Sequence, residues 1–146
     1  MSLFRLTSIL FALAAAPGCQ GKRQEAMTHR PYDIVELGRE LNVTLPPNTR
    51  VIGVERENGM DDLVGAKVEI PDSDWPSFIA STPIKANSFR PGERGLLGED
   101  HGFWDPNQAP GLRTAQATLP GVRALNIGVC TPSNGFVVLY IVNHGT

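Results

Sequence analysis

The chain of 146 residues is 41% hydrophobic and 19% charged, which suits one globular domain around a single core. Thirteen Lys and Arg against fifteen Asp and Glu leave a formal charge of -2, too even a balance for a polyanion-binding surface, so no nucleic-acid partner is expected. Two cysteines rule out a disulfide scaffold and a four-cysteine zinc site, and 12 Pro with 15 Gly lacking any repeat period mark a loop-rich chain.

Residues 1–18 hold one cation, Arg5, ahead of an apolar run at 6–16 interrupted only by Thr7 and Ser8. At a helical rise of about 1.5 Å per residue, that run falls well short of a bilayer core of about 30 Å. It reads as an export signal rather than a spanning helix, and Pro17-Gly18 with the polar residues 20–25 ends it abruptly.

Directly after the run stands Ala16-Pro17-Gly18-Cys19. This stretch resembles the lipobox of a bacterial lipoprotein signal, in which a small residue precedes the cysteine that is lipidated. The resemblance covers the first nineteen residues. It implies an acylated Cys19, a lipid bilayer as partner, and a cell-membrane or outer-membrane protein facing the periplasm. Gln20 after the cysteine implies outer-membrane sorting under enteric-type rules. Each acyl methylene contributes about 0.8 kcal/mol, so two or three chains hold a protein on a membrane almost permanently. Residues 19–31 then form a polar tether and 32–146 the folded domain. Ala16 and Gly18 also satisfy the small-x-small rule of ordinary signal cleavage. That cut leaves Cys19 unmodified and open to a disulfide with Cys130 in an oxidising compartment; with Cys19 acylated, Cys130 is a lone small hydrophobe on a strand.

In the remainder, Asp33 precedes Ile34, Leu37 and Leu41, a pattern for a short capped helix that Gly38 weakens. Residues 49–56 read as a strand, Glu57-Asn58-Gly59 as a turn, and 64–70 as a second strand. In that second strand Val64, Ala66, Val68 and Ile70 share the packed face, while Gly65, Lys67 and Glu69 share a wet one. Asp72-Ser73-Asp74 offers capping oxygens for a helix of about two turns through Ser81, with Pro76 in its first turn and Trp75, Phe78 and Ile79 on one packing stripe. Strands follow at 113–119 and 123–130, joined by a turn at Pro120-Gly121. Residues 136–142 are seven consecutive apolar residues, expected as a central strand covered on both faces. The fold class is therefore α+β: a mainly antiparallel sheet of about five strands with one short helix packed on it and a long ordered loop.

That loop, residues 82–112, is longer than most connections and carries Phe89, Leu96, Leu97, Phe103 and Trp104, too many large apolar groups for a disordered tract. It is expected to fold onto the sheet as a flap, at least over 96–104. Glu99-Asp100-His101 with Asp105 is the densest set of ligand or proton-transfer groups, and His144 at the end of the last strand is a further candidate. No H-E-x-x-H pattern supports a metal, and no G-x-S-x-G surrounds Ser77, Ser81 or Ser88. Asp61-Asp62 suits turn geometry better than calcium, and a Cys130–His144 nucleophile pair depends on which way the sulfur faces.

The residues thus support an exported, membrane-anchored, non-enzymatic binding module acting on an envelope protein or cell-wall component, with no cofactor. The competing reading is a small exported hydrolase or metal-binding protein using the 99–105 loop, which requires at least three of its candidate groups to converge. A third is a ligand pocket under the flap lined by Trp75, Phe89 and Trp104.

Overall fold

The computed structural model describes residues 31–145 except 93. The expected export signal, Cys19 and most of the expected tether lie outside the described residues, as does any Cys19–Cys130 pairing.

Helix α1 (Ile34–Leu41) begins where Asp33 Oδ1 accepts the amides of Val35 and Glu36 at 2.9 and 3.1 Å, satisfying N–H groups that have no partner inside the helix. It ends at Asn42, whose left-handed backbone (φ 60) turns its N–H back to the Arg39 carbonyl. Helix α2 (Trp75–Ala80) follows a single 3-10 turn at Asp72–Asp74. Pro76 sits in its first turn as expected, yet Asp74 makes no side-chain cap bond. The capping oxygens anticipated from Asp72-Ser73-Asp74 are thus not used there, because the 3-10 turn already leads the chain into α2 without a cap.

The strands are β1 (Arg50–Glu57), β2 (Leu63–Pro71), β3 (Arg90–Pro91), β4 (Arg113–Leu119), β5 (Arg123–Val129) and β6 (Phe136–Gly145). They form one antiparallel sheet in the order β1-β2-β6-β5-β4-β3. The sheet has six strands rather than about five, and two short helices rather than one pack on it. The added strand pairs only Arg90 with Thr114 and Pro91 with Arg113, too short to leave a period-2 signature in sequence. As expected from its unbroken apolar run, β6 is interior: it pairs with β2 from Leu63↔His144 to Pro71↔Phe136 and with β5 from Arg123↔Gly145 to Val129↔Leu139.

The two faces of the sheet carry separate cores. On one face Ala66, Val68, Ile70, Leu125, Ile127, Val137, Leu139 and Ile141 meet Leu37 and Leu41 of α1 and Phe78 and Ile79 of α2. Asn143, buried in β6, fastens α1 to this face by donating to the Glu40 carbonyl at 3.0 Å while its oxygen accepts from Arg123. On the other face Leu97, Trp104, Ala109 and Leu112 of the long connection pack on Tyr140, Val142 and Cys130. The face of β2 expected to be wet is therefore covered: Gly65 is buried and the Lys67 side chain is only 14% exposed. The flap displaces water there because its apolar residues have nowhere else to bury.

Two glycines in the strands make room for it. A Cβ on Gly53 would lie 2.4 Å from the Phe103 ring, and one on Gly128 would lie 2.6 Å from Leu97 Cδ1. Gly53→Ala should therefore lower unfolding free energy by about 1–3 kcal/mol through overpacking. Gly59→Ala, at a site where a Cβ meets nothing within 4 Å, should change it by less than about 0.5 kcal/mol. Urea unfolding of the two variants side by side checks this, and equal losses would refute the packing account.

Candidate functional site

The flap is tied to the sheet at three points by polar groups. Lys67 Nζ and the Tyr140 hydroxyl both donate to Asp105 Oδ1 at 2.6 Å. Asn126 Nδ2 donates to the Leu96 carbonyl at 2.7 Å. His101 Nε2 meets Glu55 Oε2 on β1, while His101 Nδ1 faces the Glu99 carbonyl at 3.0 Å. Burial pushes the Asp105 carboxyl up, but the hydrogen bonds from Lys67 and Tyr140 and the Lys67 charge together outweigh it and hold the group below its usual value. Burial, followed by the bond to Asp105, pushes the Tyr140 phenol far above its ordinary range. Tyr140 thus keeps its proton at neutral pH and is a fixed hydrogen-bond donor.

The acid–base candidates do not assemble into one centre. His101 binds Glu55 and the Glu99 main chain. Asp100 accepts from the Asn107 amide at 2.8 Å and from Gln108 at 3.3 Å, steadying the turn at Pro106–Gln108. Asp105 serves Lys67 and Tyr140. His144 Nε2 lies 3.4 Å from Asn126 Nδ2, and its Nδ1 faces the Gly145 carbonyl at 3.1 Å. Glu99 contributes its carbonyl to His101. Among the described residues no three His, Cys, Asp or Glu side chains are grouped to hold a metal ion. Asp61 and Asp62 lie exposed at the β1–β2 hairpin tip, where the Asp62 carbonyl accepts the Gly145 amide at 3.0 Å. Cys130 is buried in the flap-side cluster.

The pocket anticipated under the flap is divided by the sheet. Trp104, 1% exposed, lies in the flap-side core with its indole N–H donating to the Leu97 carbonyl at 2.8 Å. Trp75 and Phe89 lie on the helix side, edge to face with ring centroids 5.6 Å apart. Phe89 precedes β3 and is drawn to the helix face, whereas the chain crosses to the other face before Leu97. Phe89 and Trp104 share the long connection, and nothing in its sequence reveals that crossing.

Trp75 and Phe89 do line a cavity of about 250 Å³, with Val129 and Val137 of the sheet and Arg113 at the start of β4. A more open groove of about 680 Å³ adjoins it, sharing Trp75 and Ala86 and lined further by Pro76, Ile79, Pro83 and Lys85. The half-buried Trp75 indole therefore stands between two concavities, with Phe78 packed on it at 6.0 Å. Arg113 Nη2 donates to the Phe89 carbonyl at 3.0 Å, fixing the guanidinium at the cavity. Sequence reasoning treated Arg113 only as the first residue of a strand. Its bond to Phe89 spans 24 positions, and no local pattern encodes that. Glu55, Lys67 and Tyr140 were missed for the same reason, their partners lying 46, 38 and 35 positions away.

Compared with protein-family models, with curated proteins and with solved structures, the chain matches none.

The His101 contacts carry a pH dependence whose sign is set by the geometry. Both ring nitrogens face oxygen acceptors, so only the imidazolium satisfies both. The hydrogen bond to Glu55, then that to the Glu99 carbonyl, raise the His101 pKa. A raised folded-state pKa stabilises fully below the unfolded value of about 6.5 and is lost as pH rises through the folded value. Thermal unfolding of the wild type and of His101→Gln should therefore differ most below the unfolded value and converge as pH rises through the raised folded value. A melting difference that is constant with pH would contradict this assignment.

Proposed function

We propose that this is an exported, lipid-anchored protein of a bacterial cell envelope whose folded part is a non-enzymatic binding module. The observation that carries the binding half is the pair of concavities on either side of Trp75, which set aromatic and aliphatic side chains beside placed polar groups such as Arg113, Thr131 and Lys85, the usual make-up of a recognition site. A half-buried tryptophan between two hollows offers apolar area and a polar edge to a ligand. The separate partners of Glu99, Asp100, His101, Asp105 and His144 favour binding over hydrolysis, because acid–base catalysis needs such groups within reach of one substrate atom.

The anchoring half rests on Ala16-Pro17-Gly18-Cys19 and on the polar stretch after it. Among the described residues no helix is long and apolar enough to cross a membrane. The proposed partners are the lipid bilayer, through acylated Cys19, and an envelope protein, cell-wall component or small molecule at the Trp75 face. The tether sets the reach of that face from the headgroups.

Mass spectrometry of the protein extracted from membranes should find a chain beginning at Cys19 with added acyl mass, and Cys19→Ser should release it to the soluble fraction. A chain retaining Met1 in the soluble fraction of the wild type would sink the anchoring half. For the binding half, a photo-crosslinking residue at Lys85, on the rim of the Trp75 groove, should yield a defined adduct in the native envelope. The same residue at exposed Gln116 on β4 should not. Equal yields at both positions would count against a site at Trp75.

A further inference from the structure

Resting on the binding-module reading, we propose that the cavity between Trp75, Phe89 and Arg113 takes a compact apolar group bearing a carboxylate, with Arg113 as the residue that selects the charge. Volume sets the size class. A cavity of about 150 Å³ lined by apolar side chains takes up benzene, so about 250 Å³ holds one ring with a short arm. Trp75 and Phe89 present steeply inclined ring planes, 68° apart, and Val129 and Val137 add aliphatic wall. An aryl or branched alkyl body fits that lining.

Charge sets the headgroup. The two adjoining concavities are lined by two cations, Arg113 and Lys85, and by no acid, in a chain whose acids outnumber its bases by fifteen to thirteen. A guanidinium carries five N–H donors in a planar fork suited to a carboxylate. The Phe89 carbonyl takes one of them and points the group. A cation at the same place would meet Arg113 and Lys85 unfavourably, and a phosphate dianion would carry more charge than the one guanidinium lining this cavity balances. The carboxylate could belong to a free small acid or to the apolar last residue of a peptide, whose preceding residues would lie in the groove beyond Trp75.

The test follows the indole N–H resonances of the two tryptophans by NMR, with Trp75→Phe assigning them, during titration with 3-phenylpropanoate, 3-phenylpropanamide and acetyl-Gly-Gly-Phe with a free carboxyl end. The acid should shift the Trp75 signal saturably, leave that of Trp104 in place, and bind about tenfold more tightly than the amide, as expected for one charge-assisted contact. Arg113→Gln should bring the acid down to the amide's affinity without weakening the amide, which reports an intact cavity, and Arg113→Lys should restore part of the preference. Tighter binding of the peptide than of the free acid would identify a chain terminus as the source, and the reverse a small acid; either sustains the shared chemistry. Equal affinity for acid and amide would overturn the carboxylate assignment while leaving a binding site at Trp75. Failure of every probe to move the Trp75 signal would overturn the proposal, and only if joined by equal adduct yields at Lys85 and Gln116 would it remove the binding-module reading as well.

Discussion

Both faces of β6 are dry, and that burial is the constraint on which the rest of the structure depends. The last strand of the chain enters between two hairpins made earlier, β1–β2 and β4–β5, and supplies the hydrogen-bonding partner for the inner edge of each. Without it, the two hairpins would expose unpaired backbone along β2 and β5, and neither face would have a continuous floor. Val137, Leu139 and Ile141 face the helices while Tyr140 and Val142 face the flap. One ten-residue strand thus joins two cores. Its pairing with β5 is itself a hairpin, whereas its pairing with β2 joins residues far apart in sequence, the kind that forms after local hairpins because its loop-closure entropy is larger.

The flap-side core explains why a connection this long is ordered. Burying a tryptophan removes about 150–250 Å² from water, worth about 4–6 kcal/mol at about 25 cal/mol per Å² before the entropy of ordering is charged. An exposed ion pair such as His101–Glu55 contributes far less, because solvent screens it. Trp104 therefore holds the flap down, and the polar contacts determine where it lands. Asp105 finds two donors, on neighbouring strands β2 and β6, in the pair Lys67↔Tyr140. Gly53 and Gly128 supply the recesses that receive Phe103 and Leu97. The groups resembling a catalytic cluster in sequence are in this arrangement the fasteners of a layer.

The helix-side surface near Trp75 has a different character. Where α1 meets the sheet, the core closes over Leu37 and Leu41; near the shorter α2 it leaves a cavity and a groove. The six residues of α2 cannot cover a six-stranded sheet, and the loop carrying Phe89 completes the wall without filling the space. A positively charged, aromatic hollow in an acidic chain is the feature that a ligand of complementary chemistry would recognise.

Period-2 and period-3.6 patterns made the long elements legible from residues alone. The α+β class, the strands at 113–119 and 136 onward, the helix capped by Asp33 and the packing stripe of Phe78 and Ile79 follow from local alternation, because backbone geometry ties side-chain direction to position. The interior place of β6 was legible too, since an unbroken apolar run has no face to offer water. Tertiary structure alone decided what lies across from what: the short strand β3, the covering of Lys67, the pairing of His101 with Glu55, the parting of Trp104 from Trp75 and Phe89, and the arrival of Arg113 at a cavity. These depend on contacts between residues distant in the chain, where the crossing of a loop from one face of the sheet to the other sets each partner. Sequence periodicity carries the direction of a side chain relative to its own backbone, and it carries no term for the chain that comes to meet it.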